Sequence, residues 1–580
     1  MKRKSKSKEI KLKLYITNIS FLVVLFFIKT ITFAQSSFSI QFQDKSIQKE
    51  FEKSTGSISR ENITLDSTLK SLENFLLEKG FLEFKFEIDS TINDSVKIFS
   101  IRVNQGKRYV INSIELIGDS LSNEEISKIN NLFGNSIFNQ KNINEISLYL
   151  IDLLEKKGYP FAQARFLSYR LVNQNNQEKL LEIFFRVKSY ELAQISKVEL
   201  KGNKFTNREV IIREMRLSEN DLFTPDLSKK ILLRLNRLNI FSSISNPEFY
   251  FDENKNGILE VEVKEGITNT FDGIIGYVPS PNPSEKGYVT GQVNVALRNL
   301  FGTLRAFSFR WNRLNRFSQD LEIKYFEPWL FGLPLNIQPT FNQFKQDTTY
   351  IQRSLSWNLE FSFSESFGLT FNFVTSLVIP QINYSIMNVN RSSSLLYGLG
   401  LIYDSRDHPV YTKSGILLKT DFNQVIKKEY LSLETKKFYQ QKGNFLFSIH
   451  QSIFKNQLVY FSFNAKVISG GGISISDLFK FGGMNSIRGY EENQFSGSRI
   501  FWTNIEYRFL TSYTDFISAF FDYGYYFRDL FNEKVSNFKY GYGVGASFQT
   551  TLGLLKINFA LGQGDTFSRG KIHFGIVSGF

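Results

Sequence analysis

Residues able to carry chemistry are few in this chain of 580, and most of the usual sets are missing. There is no cysteine, which removes disulfides, thiolate metal sites, a cysteine nucleophile and a lipid-bearing N-terminal cysteine. The three histidines, His408, His450 and His573, lie far apart without ligand-like spacing, so no metal site is expected. "GYGVG" (541–545) has the glycines of a phosphate loop but no following Lys-Ser/Thr, and it reads as strand; no nucleotide or other cofactor is expected. No G-x-S-x-G elbow occurs and no carboxylate pair has a glycosidase context, so no catalytic residue is named and the chain reads as a non-enzyme. Two stretches remain. "YDSRDHPVYTKSG" (403–415) sets Arg406 between Asp404 and Asp407, a pattern that favours a salt-bridge network over a calcium site. "FGGMNSIRGY" (481–490) wedges one arginine, Arg488, into a loop with three glycines, between two runs that alternate apolar and polar residues.

The elements that must position these residues follow from composition and pattern. Phenylalanine (60) and tyrosine (26) are abundant, yet mean hydropathy is slightly negative. Aromatic and polar at once, the chain fits transmembrane strands whose outer face is greasy and whose inner face is wet. About sixteen alternating segments run from Phe271 to Phe580, and an even number suits closure of an antiparallel barrel. In "RAFSFRWNRL" Phe307, Phe309 and Trp311 would face lipid, and Ser308, Arg310 and Asn312 the lumen. In "IEYRF" the outward set is Ile505, Tyr507 and Phe509, against Glu506 and Arg508. A soluble sandwich also alternates, but it places polar residues outside and needs few exposed aromatics.

The N-terminus reads as an export signal. Seven basic residues in "MKRKSKSKEIKLK" precede an apolar run from Ile19 to Ile28, and small Thr32 and Ala34 stand where a signal peptidase reads. The run is too short for a spanning helix, which needs about 20 residues. Cleavage after Ala34 would lower the formal charge from +14 to +7, a basicity suited to lipid headgroups and not to nucleic acid. No later segment is a helix-length apolar span, so membrane insertion must use strands.

Between the signal and the barrel a unit repeats at intervals of roughly 75 to 80 residues: a short strand, two amphipathic helices and two further strands. The last copy is clearest. "ISKVELKGNKFTNREVIIREM" gives strand, turn and a helix capped near Thr206 or Asn207, and "PDLSKKILLRLNRLNIF" sets Leu227, Ile231, Leu235 and Leu238 on one helical face. The chain is therefore divided into a signal (1–34), three units (35–108, atypical at its start; 109–190; 191–267) and a barrel (268–580).

At this point the sequence resembles the BamA/TamA superfamily of outer-membrane protein assembly factors, which carry periplasmic POTRA repeats before a sixteen-stranded barrel. "SIRGY" (486–490) resembles the family's R-G-F/Y signature on a loop folded into the lumen, and it falls between the eleventh and twelfth barrel strands. "FFDYG" (520–524) is similar to its F-x-D-x-G, Asp404 and Arg406 to its D-S-R-D strand end, and "KIHFGIVSGF" (571–580) to a barrel assembly signal. The resemblance implies α+β POTRA repeats followed by an all-β barrel in the outer membrane. It implies a latch of Arg488, Gly489 and Tyr490 with Asp522 and Gly524, and a lumen network through Asp404 and Arg406. A guanidinium inside a barrel needs a carboxylate that accepts a two-pronged bond, and the glycines let the loop approach the wall. A weak seam is implied between first and last strands, where Gly273, Gly276, Gly575 and Gly579 lack packing side chains and Phe580 ends the chain. The implied partners are unfolded outer-membrane clients, outer-membrane lipid, and periplasmic chaperones or accessory assembly proteins, with no nucleic acid. The implied function is insertion of such clients without ATP. A dedicated two-partner-type secretion pore and a passive porin or adhesin stay open as alternatives.

Overall fold

In the computed structural model the described residues are 36–577, apart from 56–63, 94–95, 120, 175–176, 279–286, 314–316, 347–348, 382–388, 432, 531–532 and 551–552. The expected export signal and the seam residues Gly579 and Phe580 lie outside the described residues. Among the described residues no helix is long and apolar enough to cross a membrane.

Up to Ala193 the chain builds two α/β units. The first runs β1 (Ser36–Phe42), α1 (Lys45–Thr55), α2 (Leu65–Glu78), β2 (Lys85–Asn93) and β3 (Val96–Asn104), with strand order β1-β3-β2. A capping box between Thr64 and Ser67 starts α2, whose Leu72, Phe75 and Leu76 then bury against Phe51 and Ile101. The second runs β4 (Arg108–Gly118), α3 (Asn123–Phe133), α4 (Gln140–Lys156), β5 (Gln163–Gln174) and β6 (Glu178–Lys188), in order β4-β6-β5. Ser122 and Glu125 cap α3 reciprocally, and Asn139 caps α4, whose Ile143, Ile146, Leu150 and Leu154 recur every three to four residues and line the core. In both units the first strand pairs parallel with the last, which leaves β1, β2, β4 and β5 as sheet edges.

From Gln194 a third unit comprises β7 (Lys197–Lys201), α5 (Arg208–Met215), α6 (Pro225–Arg237), β8 (Phe241–Ile244), β9 (Glu248–Phe251) and β10 (Gly257–Glu265). The edge strand on the other side of β10 from β7 is broken: β8 and β9 pair separately with β10, on either side of Pro247, which has no N–H to give to a ladder. Asn207 is the N-cap of α5 but makes no side-chain cap bond; Thr206 is buried, and its hydroxyl accepts from Asn299 at 2.8 Å.

Sixteen strands then form one antiparallel sheet in chain order. They begin β11 (Asn269–Val278), β12 (Tyr288–Leu300), β13 (Arg305–Arg313), β14 (Gln319–Phe326), β15 (Leu335–Gln346) and β16 (Tyr350–Ser362). They continue β17 (Phe367–Pro380), β18 (Arg391–Asp404), β19 (Gly415–Tyr430), β20 (Thr435–Phe454) and β21 (Gln457–Gly470). Two short strands of the next loop, β22 (Phe479–Phe481) and β23 (Phe495–Gly497), pair with each other outside that sheet. The barrel ends β24 (Arg499–Leu510), β25 (Phe516–Leu530), β26 (Glu533–Thr550), β27 (Gly553–Gly562) and β28 (Lys571–Val577).

Register makes the two faces. Phe307, Phe309 and Trp311 pair across to Tyr325, Ile323 and Leu321, one apolar patch, and Arg310 on the other face lies opposite Glu322. Ile505, Tyr507 and Phe509 are exposed on the outer face, and Glu506 and Arg508 are buried within. Apolar rings outside and ion pairs inside are the opposite of a soluble sheet, and the arrangement of a membrane barrel.

The turns after β12, β14, β16 and β18 meet the third unit. Asn207 donates to the Gly302 carbonyl at 3.0 Å, Arg213 lies over the Trp329 ring at 5.1 Å, Arg234 pairs with Glu365, and Arg237 donates to the Asp404 carbonyl at 2.5 Å. These contacts fix which end of the barrel faces the third unit.

Candidate functional site

The loop from β21 to β24 folds inward and meets the wall made by the last five strands. Ile487, Phe481 and Tyr490 are buried with Ile500 and Trp502, so the loop carries a small apolar core of its own. Beside that core lies Arg488, 5 % exposed, next to Asp522, which is fully buried. The guanidinium donates to Asp522 through Nε at 2.7 Å and Nη2 at 2.6 Å, and the Arg488 backbone N–H adds a third bond at 2.9 Å. The remaining arm, Nη1, reaches Glu506 at 2.6 Å. Glu506 is held in turn by Arg508, at 2.6 Å to Nη2, and the face of Phe520 lies 3.5 Å from the Arg488 guanidinium. Asn504 bridges loop and wall, donating to the Ser486 carbonyl at 2.6 Å and to Asp522 at 2.8 Å.

Within the hydrogen-bonded cluster two arginines face two carboxylates, and each carboxylate oxygen has a donor. Desolvating four charges is tolerable only with such complete pairing. The neighbouring contacts belong to the backbone. Gly489, at φ +91°, donates its N–H to His573 Nε2 at 3.1 Å, so that nitrogen is the unprotonated one. Tyr490 donates to the Tyr540 carbonyl and accepts from Gln563 N–H, both at 2.9 Å. A Cβ on Gly541 would lie 1.9 Å from the Arg488 carbonyl oxygen, and one on Gly524 would lie 2.1 Å from Ile487 Cδ1. The wall is smooth where the loop touches it because those positions carry no side chain.

Residues 299–580 match the Omp85 superfamily domain, and 193–266 match the POTRA family, described as a surface antigen variable number repeat. The barrel is an Omp85 superfamily domain. It is an outer-membrane barrel with its POTRA repeat on the periplasmic side. The chain is 28 % identical over 268 residues to the outer membrane protein assembly factor BamA of Neorickettsia risticii, covering 46 % of this chain and 34 % of that one. It is 23 % identical over 302 residues to a putative outer membrane protein assembly factor of Treponema pallidum, covering 49 % of this chain and 34 % of that one. The alignments thus span about a third of these relatives' own length. Among solved structures, BamA from Haemophilus ducreyi lacking POTRA domains 1–3 is 15 % identical, with TM-score 0.47, over 80 % of this chain and 98 % of that one. CdiB from Acinetobacter baumannii is 13 % identical, with TM-score 0.45, over 92 % of this chain and 98 % of that one.

Asp404 and Arg406 lie at the periplasmic end of the Omp85 barrel, where β18 enters the loop 405–414. Arg406 clamps Asp404 through Nε at 2.9 Å and Nη2 at 2.8 Å and donates Nη1 to the Pro409 carbonyl at 3.1 Å. Asp407 caps the same loop through Lys413 N–H at 3.0 Å. Arg237 of the POTRA repeat bonds to this loop's backbone; burial pushes its pKa down, against the pull of Asp404. Burial would push the Glu365 carboxyl up, but the hydrogen bonds from Arg234 outweigh it and hold the pKa below its ordinary value. Glu265 behaves alike: burial opposes, but the hydrogen bonds from Thr206, Phe205 and Lys204 lower it, with backbone N–H groups at 2.6 to 3.1 Å.

Of the expected seam residues, Gly273, Gly276 and Gly575 lie on the first and last strands of the sheet. Gly273 and Gly276 of β11 pair inward with Val293 and Thr290 of β12, and Gly575 of β28 pairs with Lys556 and lies against Met484 of the loop. Among the described residues no ladder joins β11 to β28. Glu506, Asn504 and Gly541 were not singled out by motif. Glu506 and Asn504 have a sequence signal only in their inward parity on β24, and Gly541 only in its place inside a strand.

Proposed function

We propose that this Omp85 protein receives unfolded outer-membrane or surface proteins in the periplasm and passes them into the membrane through the edge between β11 and β28, without ATP or covalent catalysis. The observation that carries this reading is that edge. Fifteen neighbouring strand pairs have backbone ladders, and the sixteenth, which would close the barrel, has none among the described residues. A strand edge left open in a membrane is a template for another strand. Residues 35–108 and 109–190 would act as POTRA-like units alongside 191–267. Their edge strands suit clients taken up by strand addition, β5 above all, where Leu167, Tyr169, Leu171 and Val172 are exposed. Such binding reads backbone, so no recognition residue is assigned. The Arg488–Asp522 pair is the latch that holds the loop against the last strands. Outer-membrane lipid, and chaperones or accessory assembly proteins, complete the set of partners.

The test is quantitative proteomics of the outer membrane after depletion of the protein. A broad fall in barrel proteins is the expected result. Loss of one or two surface proteins, with the rest intact, would instead mark a dedicated secretion pore.

A further inference from the structure

On the lipid-facing side of β15–β20 the register stacks outward side chains in level rows. Trp357, Phe373 and Tyr397 make one such row within the apolar belt. Nearer the end remote from the POTRA repeat comes a row of Phe341, Leu355, Thr375, Leu395 and Ile426. The row beyond it is Arg353, Leu377, Ser393, Lys428 and Lys437. Thr375 is small between Leu355 and Leu395, and Ser393 between Leu377 and Lys428, and the wall sinks there into a groove of about 700 Å³ with an apolar floor and a basic upper rim.

The rim is under-neutralised. Lys428 and Lys437 are directly opposed cross-strand partners, an arrangement that repels. Among the described residues neither lysine nor Arg353 has a carboxylate partner; Arg353 spends one donor on Gln343, at 2.8 Å from Nε. The nearest acids are committed elsewhere. Glu429 faces the lumen beside Lys427, at 3.9 Å, and Glu434 pairs with Lys436 at 2.9 Å. Cations at the edge of a hydrocarbon layer need a counter-charge, and a phosphate accepts from both ammonium and guanidinium groups. An acyl chain along the apolar floor places its own phosphate at that rim. The occupant the geometry fits is therefore an amphiphile of the outer leaflet.

We propose that this groove binds a phosphate-bearing outer-leaflet lipid, its phosphate held by Arg353, Lys428 and Lys437 and one acyl chain lying between Leu355 and Leu395. The site does not depend on what the barrel assembles. The test uses the full chain in a zwitterionic detergent, titrated with phosphatidylglycerol, phosphatidylcholine or inorganic phosphate, with bound lipid counted by native mass spectrometry. Wild type should retain phosphatidylglycerol at least tenfold more tightly than Lys428→Gln/Lys437→Gln. Thr375→Trp, which keeps every cation but fills the floor, should lose as much, and a Lys436→Gln/Lys534→Gln control should lose nothing. Heat-dependent gel mobility reports that each variant is folded. Equal binding by wild type and the double glutamine variant overturns the proposal. So does full binding by Thr375→Trp, or displacement of the lipid by equimolar inorganic phosphate, which would mean an adventitious ion only.

Discussion

Asp522→Ala is the most informative single change in the barrel. The carboxylate is fully buried and accepts from Arg488 N, Nε and Nη2 and from Asn504 Nδ2, at 2.6 to 2.9 Å. Removing it leaves those donors without their acceptor and leaves the four-charge cluster one positive charge in excess. Breaking a buried pair from one side costs about 3–5 kcal/mol. Arg488→Ala should cost less, because Asp522 keeps Asn504 and the residue 488 N–H, and Glu506 keeps Arg508. The double variant restores neutrality, so its loss should fall short of the sum by about 2–3 kcal/mol, the upper range for groups in direct contact. Because about 1.4 kcal/mol is tenfold, Asp522→Ala alone should raise the population with a detached loop more than a hundredfold. Urea unfolding in lipid vesicles, read by gel mobility of unheated samples, gives all four corners of the cycle. Single losses below about 0.5 kcal/mol with no coupling would falsify the pinned-loop account, because no fully buried carboxylate with four donors is dispensable on this reasoning.

Three other outcomes follow from the same structure. Gly541→Ala puts a methyl 1.9 Å from the Arg488 carbonyl and should shift unfolding in the direction of Asp522→Ala without touching a charge; an unchanged urea midpoint would refute the close approach. Lys427→Met removes a 1 % exposed ammonium that donates to Gly472, Ser474 and Asp477, at 2.6 to 2.9 Å, and should expose the segment 470–478 to protease from outside the cell. At the periplasmic end, Glu265 and Glu365 have pKa values below the ordinary 4.5. A carboxylate depressed by folding contributes stability that is whole above its unfolded pKa and lost as pH falls through the folded one. Proteolysis of the junction between β10 and β11 should therefore stay constant from pH 8 to 5 and rise below about 4.5, and Glu365→Gln should raise it already at neutral pH.

The barrel was legible because alternation is enforced locally. Each strand of "RAFSFRWNRL" type must put every second residue in lipid, and a slip of one residue would drive Arg310 into hydrocarbon. Loop position was legible for the same reason, since counting alternating segments places Arg488 between the eleventh and twelfth strands. What escaped was long-range and depends on register. Glu506 meets Arg488 only because Asn504 pairs with Asp522 and Glu506 with Phe520, a match that no local pattern encodes. Lys427 and Lys428 look alike in sequence, yet parity sends one into a buried clamp and the other to the lipid surface. The break of the third unit's edge strand at Pro247 has a local signal, since that proline has no N–H to give to the ladder with β10.

The latch also bears on the edge where, among the described residues, no ladder joins β11 to β28. The loop touches β24 through Asn504 and Glu506, β25 through Asp522, β26 through Gly541, β27 through Leu561 and Gly562, and β28 through His573. Those five strands are thus held twice, by their ladders and by a common buried loop. Among the described residues β11 has no such second fastening, and its backbone partner there is β12 alone. Of the two strands at the open edge, β28 is therefore the stiff lip and β11 the yielding one, because local opening is easiest where contacts are fewest. Hydrogen exchange should separate them: amides of β11 exchanging at least tenfold faster than those of β28 in the intact protein, and the difference collapsing in Asp522→Ala as β28 loses its support. Equal exchange in wild type would mean that the loop does not stiffen the lip, and the latch would then be a fastening of the lumen alone.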